Sequence, residues 1–258
     1  MGQDYEKVLA KCFEKVNYMN SRLDGFPHIT RKSSWLTNQN GHWTGGFWIG
    51  LLWLERIMTD DSGMDEMIKN WAMKLRCRMD DTSTHDQGFI FGPSCVLGYR
   101  VTGDDAYLPL IHAGAENLIK QYIPETGLIR AWGESGYDGI SIVDTIMNIP
   151  LLWVSGELLD DPTRKELCLG VGRRIHEHAV RADYSTYHVV RWDKDYNIYG
   201  EPLLSGGSGS DSIPQFMPEY LPDRMEAGTH NVPGIAGLSE GIGYVRSRGL
   251  KAIAAHEG

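Results

Sequence analysis

The sequence predicts an all-α protein, and three observations carry that expectation. Apolar residues recur at helical spacing through most of the first 183 residues, strand-like alternation is scarce, and the helical stretches alternate in polarity along the chain. The stretches at 44–58 and 142–158 are apolar almost all round, so they are expected to be buried on most sides. Those at 4–19, 62–79, 104–122 and 162–182 carry one wet face. Such a succession suits a toroid of helical hairpins, with inner helices within and outer ones around them. A globin-like packing is the all-helical alternative, with less reason for strict alternation.

The elements follow in order. Asp4 to Met19 places Tyr5, Val8, Leu9, Cys12, Phe13 and Val16 at helix spacing, with charges between. Thr44 is expected to cap the apolar helix that runs to about Met58. Ser62 is expected to cap the next, whose stripe is Met64, Met67, Ile68, Trp71, Leu75 and Met79. A further helix is read at 86–101. Tyr187 to Tyr199 reads as extended chain with a turn. Beyond it the character changes. No Trp follows Trp192, GGSGSDS occupies 206–212, prolines recur at 214, 218 and 222, and a last helix is expected after Pro233. This shift marks a boundary, giving units 1–203 and 204–258.

Composition narrows the function. In 258 residues, eight Trp, twelve Tyr and six Phe supply ample burial, which excludes a disordered chain. The longest apolar runs fall well short of the ~18 residues of a membrane span. A net charge of −9 argues against nucleic acid, whose phosphates need a basic face. The first fifteen residues are polar and mixed in charge, unlike a secretory leader. Cys12, Cys77, Cys95 and Cys168 are scattered with no CxxC, so reduced and mostly buried thiols in a cytoplasmic protein are expected.

Three segments offer chemistry. HWTGGFWIGLLWLE at 42–55 crowds rings and glycines, and Trp43 and Phe47 are four apart on one face. Such rings either stack on the apolar C–H face of a sugar or simply fill a core. HDQGF at 85–89 puts His85 and Asp86 at the first turn of a helix, where Asp86 is either functional or a cap. In IVDTIMNIPLLW at 142–153, Asp144 and Asn148 are the polar members of an apolar stretch at i, i+4 spacing. A carboxyl there is either tied to a neighbouring helix or keeps a proton, as a general acid requires. Two aspartates from different inner helices converging in a pit would make paired-carboxylate sugar chemistry available. His188 is a candidate third polar group.

These segments, in this order, resemble the unsaturated glucuronyl hydrolases, glycoside hydrolase family 88, over roughly residues 4–200. The resemblance rests on WTGGFWIGLLWLE, THDQGF with GYRVTGDDAYL at 98–108, GLIRAW at 127–132, IVDTIMNIPLLW, and TYH at 186–188. It implies an (α/α)6 barrel, here incomplete at about seven of twelve helices. It also implies a cytoplasmic enzyme that removes the C4=C5 unsaturated glucuronyl residue from lyase-generated oligosaccharides by hydrating the vinyl ether. Carried over, Asp144 protonates C4 and then helps water add at C5, and Asp86 supports that transfer. Trp43, Phe47 and Trp132 form a stacking wall, with His85, His188 and Asn148 binding nearby. The chemistry implied needs no metal or organic cofactor.

Two departures stand out. Gly45 lies where the family often has a polar or acidic residue, and the family chain continues for well over a hundred residues past the end of the resemblance. The tail instead resembles cysteine desulfurase-like class V aminotransferases, through SGGSGSDS and LPDRMEAGTHNVPGIAGLSEGIGYV at 221–245. Arg224 of its RxExGT pattern is the family's carboxylate-holding position. The lysine-bearing domain of that family is absent, so no pyridoxal chemistry is expected. The alternative function is a non-catalytic carbohydrate-binding or inactive chimeric fragment. A half-built toroid also leaves apolar flanks bare, so self-association, or a molten state, is expected.

Overall fold

A computed structural model describes residues 5–31, 34–132, 139–182 and 186–201. The chain divides into two compact units, Met1–Pro202 and Leu203–Gly258. The glycine-rich segment, the proline-spaced loop, Arg224 and the expected last helix lie outside the described residues.

The first unit is mostly helical. Helix α1 spans Tyr5–Asn20, α2 Gly45–Thr59 and α3 Asp65–Lys74. Helices α4 (Gln87–Phe91) and α5 (Leu97–Thr102) are joined through a π-helical turn, Gly92–Val96, into one run. Helix α6 spans Leu108–Lys120, α7 (Thr145–Asn148) leads into α8 (Pro150–Leu158), and α9 spans Pro162–Ala179. With the short 3-10 turns that extend α3 and precede α6, these make seven helical segments among the described residues. The runs α2, α4–α5 and α7–α8 pack side by side, with α3, α6 and α9 behind them. That is part of an α/α toroid.

Local chemistry explains most boundaries and corrects some expectations. Thr44 precedes α2 but makes no capping bond, because its hydroxyl donates to the Pro27 carbonyl instead, at 3.2 Å. Asp61, not Ser62, caps the next turn, accepting from the Gly63 N–H. Asp161 caps α9 through the Thr163 N–H, with Pro162 at the first helical position, where its missing donor costs nothing. The stretch 142–158 does not begin as helix. Gly139–Ile142 forms strand β5, and helix starts only at Thr145.

Hydrogen-bonded strands also appear outside the expected extended chain. Strands β1 (Phe26–Arg31) and β2 (Ser34–Asn38) form a hairpin, and β3 (Tyr122–Ile123) pairs with β4 (Leu128–Ile129). Strand β5 pairs antiparallel with β6 (Val189–Trp192), which pairs with β7 (Ile198–Glu201) in the hairpin expected at 187–199.

The core lies between the inner and outer helices, centred on Phe26, Ile49, Trp53, Ile68, Phe91 and Tyr107, all essentially inaccessible. The Trp53 indole donates to the Ser94 carbonyl within the π-helical turn, at 2.9 Å. Two of the four cysteines, Cys12 and Cys77, are exposed rather than buried, and all four are free. Among the described residues no helix is long and apolar enough to cross a membrane.

Helix α2 is not buried on most sides as expected. Phe47, Leu51, Leu54 and Met58 form an exposed stripe, each 42–54% accessible. The cause is position: α2 packs against α3 and the α4–α5 run, and among the described residues no further helix covers the rest of its circumference at Leu51, Leu54 and Met58.

Candidate active site

The three inner runs begin at the same end, and the predicted polar residues sit at those beginnings. Asp86 immediately precedes α4 and Asp144 immediately precedes α7, yet neither carboxylate caps its helix. Asp86 is thus not the simple cap that its position allowed. Its Oδ2 accepts the Thr84 hydroxyl at 2.5 Å.

His85 lies between the acids and is 1% exposed. Its Nε2 is 3.5 Å from Asp86 Oδ1 and 3.6 Å from Asp144 Oδ1, and its Nδ1 is 2.7 Å from Thr145 Oγ1. The tautomer with the proton on Nε2 faces both carboxylates and leaves Nδ1 to accept the threonine hydroxyl. One ligand atom from each of the three side chains lies within 4.8 Å of the other two, a spacing that a single cation could also bridge.

The two carboxyl groups are unequal. Asp86 is 13% exposed and hydrogen-bonded, whereas Asp144 is 41% exposed. Asp144 Oδ1 is buried with no hydrogen-bond partner. Burial raises the Asp144 pKa above the usual carboxylate value. His85 opposes the rise, the Asp86 charge adds to it, and His188 opposes it. Burial likewise lowers the His85 pKa against the pull of Asp144 and Asp86. The arrangement therefore favours the neutral form of each group, imidazole and Asp144 carboxyl, more than open solvent would.

Backbone bonds fix the surroundings. The His85 N–H donates to the Ala131 carbonyl at 2.8 Å, and the Ala131 N–H to Ile140 at 2.7 Å. The Val143 N–H donates to the His188 carbonyl at 2.9 Å. This ladder brings Trp132 and His188 to the acids. The Trp132 ring, half exposed, stands edge-on to His85 at 6.3 Å.

A second aromatic group sits at the start of α2. Trp43 is edge-to-face with Phe47 at 6.1 Å, and Phe89 lies 6.2 Å from Trp43 and 5.2 Å from Phe47. Phe47 is 42% exposed, which sets aside a purely core role for it. A cavity of about 330 Å³ adjoins these rings, lined by Phe47, Phe89, Val96, Met147, Leu151 and Val154 among others.

Asn148 requires a correction. It is fully buried, its carbonyl accepts from the Phe89 N–H at 2.9 Å, and its amide donates to the Asp144 carbonyl at 3.2 Å. It ties α7 to α4 and to the acid's own backbone, with both its amide groups engaged inside the protein. Gly88 and Gly46 make these contacts possible. A Cβ on Gly88 would lie 2.3 Å from Asn148 Cα, and one on Gly46 would lie 1.9 Å from the Phe89 carbonyl oxygen. Gly45 is tight too, since a Cβ there would meet the Phe26 ring at 3.1 Å. The space that a larger residue would need is taken by an aromatic ring.

Sequence reasoning missed Thr84, Thr145, Phe89, His28 and His42. His28 stacks on His42 at 4.2 Å, stands edge-to-face with Trp43 at 6.2 Å and pairs through Nδ1 with the Thr44 hydroxyl at 3.0 Å. One signal for the threonines was available: each adjoins or nearly adjoins an aspartate, in THD and in DT.

Known proteins match this arrangement in two places. Over 203 residues the chain is 29% identical to the unsaturated chondroitin disaccharide hydrolase of Streptococcus agalactiae, covering 77% of this chain and 50% of that protein. Over 179 residues it is 31% identical to the unsaturated glucuronyl hydrolase of Bacillus sp. strain GL1, covering 67% and 48%. The crystal structure of unsaturated glucuronyl hydrolase from Streptococcus agalactiae superposes with a TM-score of 0.67 at 27% identity, over 78% of this chain and 54% of that one. The N-terminal unit is built like an unsaturated glucuronyl hydrolase. This hydrolase-like chain spans about half the length of the curated relatives it matches. Residues 190–258 match the aminotransferase class-V family model instead.

Proposed function

We propose that the N-terminal unit removes an unsaturated (C4=C5) glucuronyl residue from lyase-generated oligosaccharides, with glycosaminoglycan disaccharides as the substrate class. The observation that carries the reading is Asp144: a half-exposed carboxyl group, raised in pKa, facing a second carboxylate across a neutral histidine. In this reading the Asp144 carboxyl delivers its proton to C4 of the enol ether, and positive charge develops at C5 and the ring oxygen. The resulting carboxylate then takes a proton from the water that adds at C5. The hemiketal so formed opens, and the glycosidic oxygen leaves with its proton.

Asp86 holds the negative potential that stabilises the cationic stage, with the neutral His85 fixed between the two acids. The nearest oxygens of the two carboxyl groups lie within 4.8 Å. An inverting pair stands ~6.5–9.5 Å apart to bracket a water, so this closer spacing argues against direct inverting displacement. Trp43, Phe47 and Trp132 would stack on the sugars, and His188 would reach the substrate beside Asp144. No step calls for a metal or organic cofactor. A cytoplasmic location belongs to the same reading, supported by four free thiols.

A continuous ultraviolet assay on an unsaturated chondroitin disaccharide tests this, because the conjugated enol acid loses its absorbance on hydration. The parent chain should consume absorbance, and Asp144→Asn should lose at least about 100-fold in rate, as for removal of a general acid. The half-length match favours one second reading, a carbohydrate-binding unit without turnover. Disaccharide binding with no absorbance loss in the parent chain would establish that reading and overturn the first.

A further inference from the structure

We propose that His28 sets specificity for the leaving sugar: its Nε2 accepts one hydroxyl group of that sugar and so selects a free hydroxyl over a sulfate ester. The inference rests on the sugar wall of the function proposed above and deepens it. Four rings adjoin in succession, Phe89, Trp43, His28 and His42, with centroid separations of 6.2, 6.2 and 4.2 Å. Phe89 belongs to α4, which Asp86 immediately precedes, so the succession starts from the helix that carries an acid at its head. The two histidines stand at its other end, beyond Trp43. With the unsaturated sugar at the acids, the sugar that reaches the histidines is the one that leaves.

Hydrogen bonding sets the state of the His28 ring. Thr44 Oγ1 lies 3.0 Å from His28 Nδ1 and 3.2 Å from the Pro27 carbonyl oxygen, and it has one proton to give. Given to Nδ1, that proton would leave oxygen lone pairs facing each other at 3.2 Å. The hydroxyl therefore donates to Pro27 and accepts from Nδ1–H, which leaves Nε2 as the acceptor of a neutral ring. Among the described residues no protein group hydrogen-bonds to Nε2. Burial and the neighbouring His42 hold the His28 pKa below its ordinary value, so the ring is neutral at pH 7. A sugar hydroxyl satisfies such an acceptor. A sulfate ester has no proton to give and sets negative charge against the lone pair. His42 acts as a positioning residue. Its φ of 45° is left-handed, and the buried Arg78 guanidinium holds it there by donating to the His42 carbonyl at 3.0 Å. The His42 N–H in turn donates to Asn40 Oδ1 at 3.1 Å. Its imidazole is exposed and lies against the His28 ring, so the constrained backbone serves to fix that ring rather than to fill a core.

Calorimetric titration tests this without reference to turnover, using the full chain with Asp144→Asn so that no sugar is consumed. The probes are the unsulfated, 4-sulfated and 6-sulfated unsaturated chondroitin disaccharides. The unsulfated form should bind at least about tenfold more tightly than one of the two sulfated forms, and which one identifies the hydroxyl read. His28→Asn keeps an amide N–H in place of Nδ1–H but has nothing at Nε2, and should bring the three affinities within about twofold of one another. His28→Gln, whose amide reaches the Nε2 position, should recover most of the preference. Should His28→Asn fail to fold, His28→Phe keeps a ring against His42 and should abolish the preference likewise. A merely structural role would weaken all three sugars alike with their ratios unchanged, and that result overturns the proposal. Equal or tighter binding of both sulfated forms by the histidine-bearing chain overturns it too, while leaving the function proposed above intact. Binding of none of the three would overturn that function and this inference together.

Discussion

The inner runs α2 and α4–α5 do the same architectural job with opposite burial. The α4–α5 run lies between two inner neighbours, α2 on one side and α7–α8 on the other, and Ile90, Phe91, Cys95 and Val96 are buried. Among the described residues helix α2 has an inner neighbour on one side only and leaves a stripe of four large apolar residues exposed. Its sequence is among the most apolar in the chain, so composition alone would have buried it. The difference teaches that hydrophobicity states what a helix needs, whereas its place in the row determines what it gets.

The largest effect of a single substitution is expected on the middle run itself. Gly88→Ala would put a methyl group 2.3 Å from the Asn148 backbone, which cannot move away as a flexible side chain can. A loss of about 3 kcal/mol or outright failure to fold is expected in urea denaturation. Gly92→Ala, four residues along, meets nothing within 4 Å and should be tolerated. Next in size, Ile90→Ala should cost about 2–5 kcal/mol by cavity formation. Leu51→Ala, on the exposed stripe of α2, should cost under about 1 kcal/mol at low protein concentration. Equal costs for that pair would show that α2 is covered after all.

The smallest effect concerns the site. The folded-state pKa of Asp144 is raised, so the folded chain binds more protons than the unfolded one between the ordinary carboxylate value of 3.8 and the raised value. Stability contributed by this group is therefore present at low pH and lost as pH rises through that window. Asp144→Asn should then melt higher than the parent at pH 7, with the gap closing near pH 4. A variant that melts lower at pH 7 would remove the strain assigned to this carboxyl group.

Much of this was legible in advance, for identifiable reasons. The helical segments could be read because their apolar residues recur at 3.6-residue spacing, and the 187–199 hairpin because its strands alternate around a polar turn. The hairpin of β1 and β2 gave no such signal. Most of its side chains are exposed, so no alternation marks it. At the site, Asp86, Asp144 and His85 announced themselves as polar groups in apolar surroundings. Asn148 gave the same signal but serves as a tie between helices, and spacing cannot tell a ligand-facing amide from a satisfied one. The late start of α7 was hidden because β5 forms through pairing with β6, some fifty residues away in sequence.

The glycine contacts carry one more consequence. Because α4 meets α7 at Gly88 and α2 at Gly46 through main-chain atoms, with no side chain between, the joint between the segments bearing the acids has very little mechanical compliance. Repacking the core would change how hard the chain is to unfold, yet leave the reach from one carboxyl group to the other unchanged. Variants selected for heat tolerance at core positions should accordingly keep the parent's pH profile. Lengthening either acid by one methylene, with Asp86→Glu or Asp144→Glu, would change that reach directly.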